Sequence, residues 1–278
     1  MAKPSVYPLI FTDLDGTLLD HDSYSAIPAD RMVRHIIQRA IGTVVPVTSK
    51  TRAELRRLER SLPFGDTLSV TENGSVIHIP PGYPFAGATG PHAILSGLGY
   101  SEILDRIGAL PQRLRQHIRG FADMPATEVA KTTGLGLEEA RLARQRDASE
   151  PFLWSGSDAA LAELEQIMAR AQIRIQRGGR FYHLTGDADK ARAMRRIAAV
   201  LGAQKPDSRV VSIALGDGPN DLEMIEAADI GVIMPNPEGV AIRSASPTVR
   251  TAPAAGPHGW VVAVREIFGE LGLNLPES

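Results

Sequence analysis

With 278 residues, 43% of them apolar and 22% charged, the chain has room for one large domain or two ordinary ones around a substantial core. A net charge of −2 supplies no basic face for nucleic acid or an anionic membrane, and the absence of cysteine excludes disulfides, thiolate metal sites and a cysteine nucleophile. No apolar run is long enough to cross a bilayer, and residues 1–8 lack the apolar centre of a secretion signal, so a cytoplasmic protein with neither nucleic-acid nor membrane partners is expected.

A short apolar run over residues 9–12 reads as a buried strand and ends in Asp13-Leu14-Asp15-Gly16-Thr17. Two carboxylates one residue apart repel each other and lose hydration when buried, and a hard divalent cation such as Mg2+ relieves both costs. Taken alone, the stretch reads equally well as a solvated turn. A calcium loop of the EF-hand type fits poorly, because Thr17 and Leu18 stand where it needs an oxygen ligand and glycine. An amphipathic helix is predicted over 28–41, a strand over 43–47 and a helix over 51–62. Thr51 and Glu54 have the spacing of a capping box at that second helix. Strands over 68–70 and 75–79 flank the turn signal Glu72-Asn73-Gly74. Alternating strands and helices predict a parallel sheet with helices on its faces.

The Pro/Gly-rich stretch 80–84 marks a boundary. Beyond it the pattern becomes α+β: helices over 93–110, 137–148 and 157–171, a strand at 152–154, and a hairpin pairing 173–176 with 180–184. Alternation returns with a helix over 190–201, a strand over 210–215, a helix over 221–228, a strand over 230–234 and a last helix from about 259. The expected division is therefore a core built from 1–84 and 187–278, interrupted by a second domain over 85–186.

A second acidic cluster, Gly216-Asp217-Gly218-Pro219-Asn220-Asp221, also follows an apolar strand. Each cluster alone reads as a turn or a helix cap. At the ends of two strands of one parallel sheet, however, Asp13, Asp15, Asp217 and Asp221 would face one another, and that edge is where ligands sit. Thr48 and Ser49 stand at a strand-to-helix junction, where hydroxyls and free N–H groups suit a phosphate oxygen. Lys190 opens a helix and could neutralise phosphate and nucleophile together.

These four segments, Asp13-Leu14-Asp15-Gly16-Thr17, Thr48, Lys190 and Gly216 to Asp221, resemble in order the motifs of the haloacid dehalogenase-like (HAD) phosphohydrolases. The resemblance implies an α/β fold: a Rossmann-like core with a parallel sheet, plus an α+β cap of type C2. Residues 45–55, Glu72-Asn73-Gly74, Arg144-Gln145-Arg146 with Glu150-Pro151-Phe152, and residues 256–260 further resemble the mannosyl-3-phosphoglycerate phosphatases, over nearly the whole chain. Thr48-Ser49-Lys50 departs from the Thr-Gly-Arg of many HAD relatives, and 147–149 lacks an aromatic residue expected there.

What the resemblance implies is a Mg2+-dependent phosphatase of two steps, acting on a phosphorylated sugar-glycerate to make the compatible solute mannosylglycerate. Asp13 would be the nucleophile and Asp15 the acid and base. Asp13, Asp15 (through its carbonyl), Asp217 and Asp221 would hold the metal. Thr48 and Lys190 would hold the phosphoryl oxygens with Ser49 beside them, and Asn220 would orient Lys190 or the nucleophile. In the cap, Arg146, Glu150 and Arg180 are the candidates to meet carboxylate and sugar hydroxyls. Period-two alternation puts Arg180 and Tyr182 on one strand face and His183 on the other. The six other histidines have no metal-ligand spacing and read as surface or core residues. The glucosyl epimer, another sugar phosphate, or a phosphomutase reaction are the alternatives.

Overall fold

The structure, a computed structural model, describes residues 5–59, 62, 64, 67–81, 83, 85, 92–178, 180–237 and 240–275. From the N-terminus, β1 (Ser5–Thr12) leads through α1 (Ala29–Gln38) to β2 (Thr43–Pro46), and α2 (Arg52–Leu58) leads to β3 (Ser69–Thr71), β4 (Val76–Ile79) and β5 (His92–Leu95). A second group follows: α3 (Tyr100–Gly108), α4 (Gln112–Arg115), β6 (Ile118–Gly120), α5 (Ala126–Thr133), α6 (Leu137–Ala143), β7 (Ser149–Trp154), α7 (Asp158–Arg170), β8 (Arg174–Arg177) and β9 (Tyr182–Thr185). The chain then returns through α8 (Lys190–Ala203), β10 (Ser208–Gly216), α9 (Leu222–Ala227), β11 (Ile230–Ile233), β12 (Val249–Thr251) and α10 (Gly256–Glu270).

The first sheet runs β12-β11-β10-β1-β2, all parallel. A parallel bridge from Val47 to Val70 sets β3 beside β2, and β4 and β5 continue antiparallel. A parallel strand with helices on both faces must be apolar on both, which accounts for the unbroken run in β1. Ile10 packs with Val33, Ile36 and Val264 on one face, while Leu9 and Phe11 pack with Met194 and Ile197 on the other. Pro46, which cannot donate to a ladder, sits at the last position of β2. Among the described residues no helix is long and apolar enough to cross a membrane.

The second sheet runs β6-β7-β9-β8, antiparallel throughout. On one face Phe152 and Leu184 pack with Ile103, Ile107, Leu164 and Met168 of α3 and α7. The Rossmann-like core and the α+β insert are therefore both present, and the hairpin of β8 and β9 has its predicted place.

Residues 93–110 do not form one helix. His92–Leu95 pairs with β4 instead, and Gly97, with φ of +85°, ends the strand before α3 begins. Two crossings between the sheets run side by side here: a Cβ on Gly97 would lie 2.9 Å from the Asp187 nitrogen, and one on Gly186 would lie 2.4 Å from the Leu98 nitrogen. We place the division between core and cap at these two glycines. The N-terminal limit then falls later than the predicted residue 85. Of the stretch 80–84 that suggested the earlier limit, 82 and 84 lie outside the described residues, as do 86–91 after it. The helix predicted over 137–148 stops at Ala143, because 147–149 bond to the core. Elements β6, α4, α5 and β12 are additions to the predicted set.

Candidate active site

Strands β1 and β10 are adjacent, with Thr12 opposite Leu215, so the two acidic segments leave the sheet side by side. The Asp13 N–H donates to the Leu215 carbonyl at 2.9 Å. Gly16 has φ of +70°, and a Cβ there would lie 2.6 Å from an Asp217 oxygen, so glycine lets the first turn pass close to the second carboxylate.

Lys190 is the centre of the cluster. It stands in the first turn of α8, is 1% exposed, and donates to Asp13 Oδ1 at 2.9 Å and Asp221 Oδ1 at 2.6 Å. Asp221 Oδ2 accepts from the Asp217 and Gly218 N–H groups at 3.2 and 3.0 Å. Asp217 accepts from Thr17 Oγ1 at 3.3 Å and Asn236 Nδ2 at 2.6 Å. One oxygen from each of Asp13, Asp217 and Asp221 lies within 4.8 Å of the others, and all three residues are buried.

Three carboxylates facing one ammonium leave a local excess of negative charge. Burial, then Asp221, raises the Asp13 carboxyl well above its ordinary range, and the same two causes raise Asp217 to about 6. Burial works against the charge on Lys190, but Asp13 and Asp221 outweigh it and hold the ammonium above its usual pKa. A tight set of hard oxygen donors with surplus negative charge fits a divalent cation.

The Asp15 carboxylate is not in that set. Its Oδ2 pairs with Lys50 at 2.7 Å, and its Oδ1 is buried without a hydrogen-bond partner. Burial opposes the charge on Lys50, but Asp15 and Glu54 more than offset it. Thr48 is buried, with its Oγ1 accepting from the Lys50 N–H at 3.1 Å, and Thr51 and Glu54 form the predicted capping box of α2. Asn220 bonds neither Lys190 nor Asp13. Its Nδ2 donates to Asn73 Oδ1 at 3.0 Å.

The cap docks on this edge through Glu72. This residue is fully buried with φ of +53°, and its carboxylate accepts from the Asp147 N–H at 2.8 Å, the Ala148 N–H at 3.0 Å and Ser149 Oγ at 2.7 Å. Arg146 crosses the same joint, donating to the Ser49 carbonyl at 3.0 Å and Ser149 Oγ at 3.3 Å. Glu72→Ala is expected to lower unfolding free energy by about 2–3 kcal/mol, because it strands three donors at a buried joint. Urea denaturation checks this, and a change below about 0.5 kcal/mol would contradict the joint's importance.

The other two cap candidates have partners elsewhere. Glu150 lies on the helix-covered side of the cap sheet, accepting from Tyr100 Oη at 2.7 Å and the Ala122 N–H at 2.8 Å. Arg180 precedes β9 and donates to the Thr132 and Thr133 carbonyls at 2.9 and 3.4 Å, closing the end of α5. Neither joins the carboxylate cluster. His183 lies opposite Pro151 in the ladder, on the other face from Glu150. Burial, then Arg146 and Lys190, lowers its pKa to about 3, and its Nδ1 is buried and unpartnered. Period-two alternation had separated His183 from Tyr182 without showing which face met the carboxylates.

A family model described as haloacid dehalogenase-like hydrolase matches residues 152–256. The chain is 34% identical over 273 residues to a glucosyl-3-phosphoglycerate/mannosyl-3-phosphoglycerate phosphatase of Methanococcoides burtonii, covering 94% of this chain and 97% of that one. A protein of the same description from Persephonella marina is 32% identical over 269 residues, covering 95% and 98%. Among solved structures, a HAD superfamily phosphatase from Bacteroides thetaiotaomicron superposes with a TM-score of 0.67 at 16% identity, covering 95% of this chain and 96% of that one. Sucrose-phosphatase from Synechocystis sp. PCC6803 gives 0.60 at 14%, covering 96% and 99%. At those identities the structures share the fold, whereas the two sequence relatives align from end to end. On that alignment and this fold, the chain belongs to the haloacid dehalogenase-like phosphatases, in the family of the glucosyl-3-phosphoglycerate/mannosyl-3-phosphoglycerate phosphatases.

Proposed function

We propose that the protein is a Mg2+-dependent phosphatase that hydrolyses mannosyl-3-phosphoglycerate to mannosylglycerate and phosphate through an aspartyl-phosphate on Asp13. The observation that carries this reading is Lys190 buried between Asp13 and Asp221, with Asp217 within 4.8 Å. Asp13 and Asp217, with Asp221 behind them and the Asp15 carbonyl, would hold the metal. When bound, it supplies charge that screens the phosphate from the nucleophile.

Asp13 attacks phosphorus in line, forming an O–P bond as the bond to the leaving alkoxide breaks. Asp15 gives its proton to that alkoxide. It then takes a proton from water, which attacks phosphorus and breaks the Asp13–phosphate bond. The unpartnered Asp15 Oδ1 is the atom available for that proton. Thr48, the Ser49 segment and Lys190 hold phosphoryl oxygens. Arg146 keeps the cap loop against Ser49. The glucosyl epimer is the second reading, favoured by the dual description of both relatives. A charged phosphorylated substrate does not cross membranes unaided, which suits a cytoplasmic enzyme.

Phosphate release from the two epimers and from simple hexose phosphates, with Mg2+ present, tests the proposal. Preference for either hexosyl-phosphoglycerate supports it, and equal rates on simple hexose phosphates would contradict it. Metal removal gives a second expected result. In the metal-free protein Asp217 titrates at about 6, above its ordinary 3.8, so its folded form binds the extra proton. Its contribution to stability is full at low pH and is lost as pH rises through that interval. Mg2+ competes with those protons, so its stabilisation grows over the same range. At about 100 times Kd it should raise Tm by roughly 5 °C at pH 7.5, and by less at pH 5. Melting curves with chelator and with Mg2+ check this.

A further inference from the structure

A cavity of about 410 Å3, of a size that suits a small molecule, lies between core and cap, with Lys50, the ion-pair partner of Asp15, in its wall. Tyr24, Lys50 and Arg57 line it from the core, and residues 134–136 with Leu142 line it from the cap. Lys50 connects this space to the reacting end. Its ammonium pairs with Asp15 Oδ2 at 2.7 Å and lies 5.4 Å from the centre of the Tyr24 ring. An ammonium has three donors, and one pair leaves two for a ligand.

Tyr24 is held there at a cost. It has φ of +54°, a left-handed conformation that disfavours a bulky side chain, and it remains 47% exposed, so burial does not repay the strain. The loop is fixed by its own bonds. Asp20 Oδ1 accepts from the Ser23 N–H and Oγ at 2.9 and 2.7 Å, the Asp20 N–H reaches the Ser25 carbonyl at 2.9 Å, and the Tyr24 N–H reaches the Asp20 carbonyl at 3.0 Å. A rigid loop that presents a strained, half-exposed aromatic ring at a cavity mouth is a stacking platform. On the far wall, Glu139 pairs with Arg57 across the cleft at 2.7 Å and offers a carboxylate to hydroxyl donors.

We propose that this cavity is the leaving-group subsite, in which Tyr24 stacks against the C–H face of the hexose while Lys50 takes the glycerate carboxylate. The assignment rests on the hexosyl-phosphoglycerate reading. It follows the connectivity of such a substrate: the phosphate oxygen next to Asp15, the carboxylate two carbons along at Lys50, and the sugar on the intervening carbon reaching Tyr24. A second cavity, lined by Arg174, Arg177 and Asn220 among others, holds about 170 Å3 and does not include Lys50. Arg174 is already committed there to Asp189 and Glu223.

The test uses the full-length protein with Mg2+ and compares wild type with Tyr24→Gly, Tyr24→Phe and Arg177→Ala. Glycine removes the ring and also suits the left-handed backbone, so folding is not at stake. The measurements are kcat and KM on both hexosyl-3-phosphoglycerates and on 3-phosphoglycerate, and the inhibition constant of mannosylglycerate. Tyr24→Gly is expected to raise the hexosyl KM and the mannosylglycerate inhibition constant by about tenfold, and the 3-phosphoglycerate KM by less than about threefold. Tyr24→Phe should keep the hexosyl KM within about threefold of wild type, since the ring remains. Equal losses on sugar-bearing and sugar-free substrates, or a hexosyl-specific loss from Arg177→Ala, would overturn the subsite while leaving the substrate reading intact. A wild-type enzyme that does not prefer hexosyl substrates over 3-phosphoglycerate would overturn both.

Discussion

Asp13→Asn is expected to reduce phosphate release by about 10,000-fold or more, as removal of a covalent nucleophile does elsewhere, while leaving the protein folded. The amide oxygen of asparagine can still accept the bond from Lys190 that Asp13 Oδ1 accepts at 2.9 Å. What is lost is a charge that burial and Asp221 already disfavour. Without metal, therefore, the melting temperature should stay level or rise. With Mg2+ the thermal shift should shrink, because one of three carboxylates is gone. Phosphate release and melting curves from one preparation check both halves. Turnover within tenfold of wild type would remove Asp13 from the chemistry, and a collapse in metal-free stability would make its role structural.

Lys190→Met is expected to cost about 3–5 kcal/mol of stability at neutral pH, the range for removing one partner of a buried charge pair. Methionine roughly fills the volume, but it leaves Asp13 and Asp221 buried together with no cation between them. The pH dependence has a definite sign. In the wild type the Lys190 pKa is raised, so its own deprotonation takes nothing from stability below the ordinary 10.5 and removes its contribution only above that. In the variant Asp13, already raised by burial and now without the ammonium, holds its proton more tightly when folded than when unfolded. The deficit should then shrink toward pH 4 and grow as the carboxylates ionise. Mg2+ should return part of the loss by replacing the missing positive charge. Phosphate release should fall by about 1,000-fold even with Mg2+, since a fixed cation at the transferring group is gone. Urea denaturation at several pH values, with and without metal, checks these expectations. A loss below about 1 kcal/mol would mean that water already screens the pair.

Much of this site was legible in the order of residues, for a physical reason. Asp13 and Asp217 each end an apolar run, and a parallel sheet brings strand ends of the same polarity to one edge. Lys190 opens a helix that returns to that edge, and the capping box of Thr51 and Glu54 is a local device complete within four residues. What stayed hidden depends on which face of an element meets which neighbour. Residues 92–95 are half-buried in alternation and pair with β4, but their apolar content also suits the start of α3. Glu150 is an acid on a strand, and nothing in its spacing says that Tyr100 and Ala122 take its carboxylate. Arg180 lies outside the ladder, where alternation carries no information. Glu72 reads as part of a turn, and only the approach of 147–149 makes it the seat of the cap. Asp15 resembles Asp13 in sequence, yet Lys50 draws its side chain away from the other three.

The claim on which the account rests is that the phosphoryl group passes through a covalent bond to one side chain. Quenching a single turnover in acid, reducing any acyl phosphate with borohydride and locating the reduced residue by peptide mass spectrometry tests it directly. Reduction at residue 13 is the predicted result. Reduction at residue 15, or an unmodified chain at a time when alcohol has already left but phosphate has not, would contradict it.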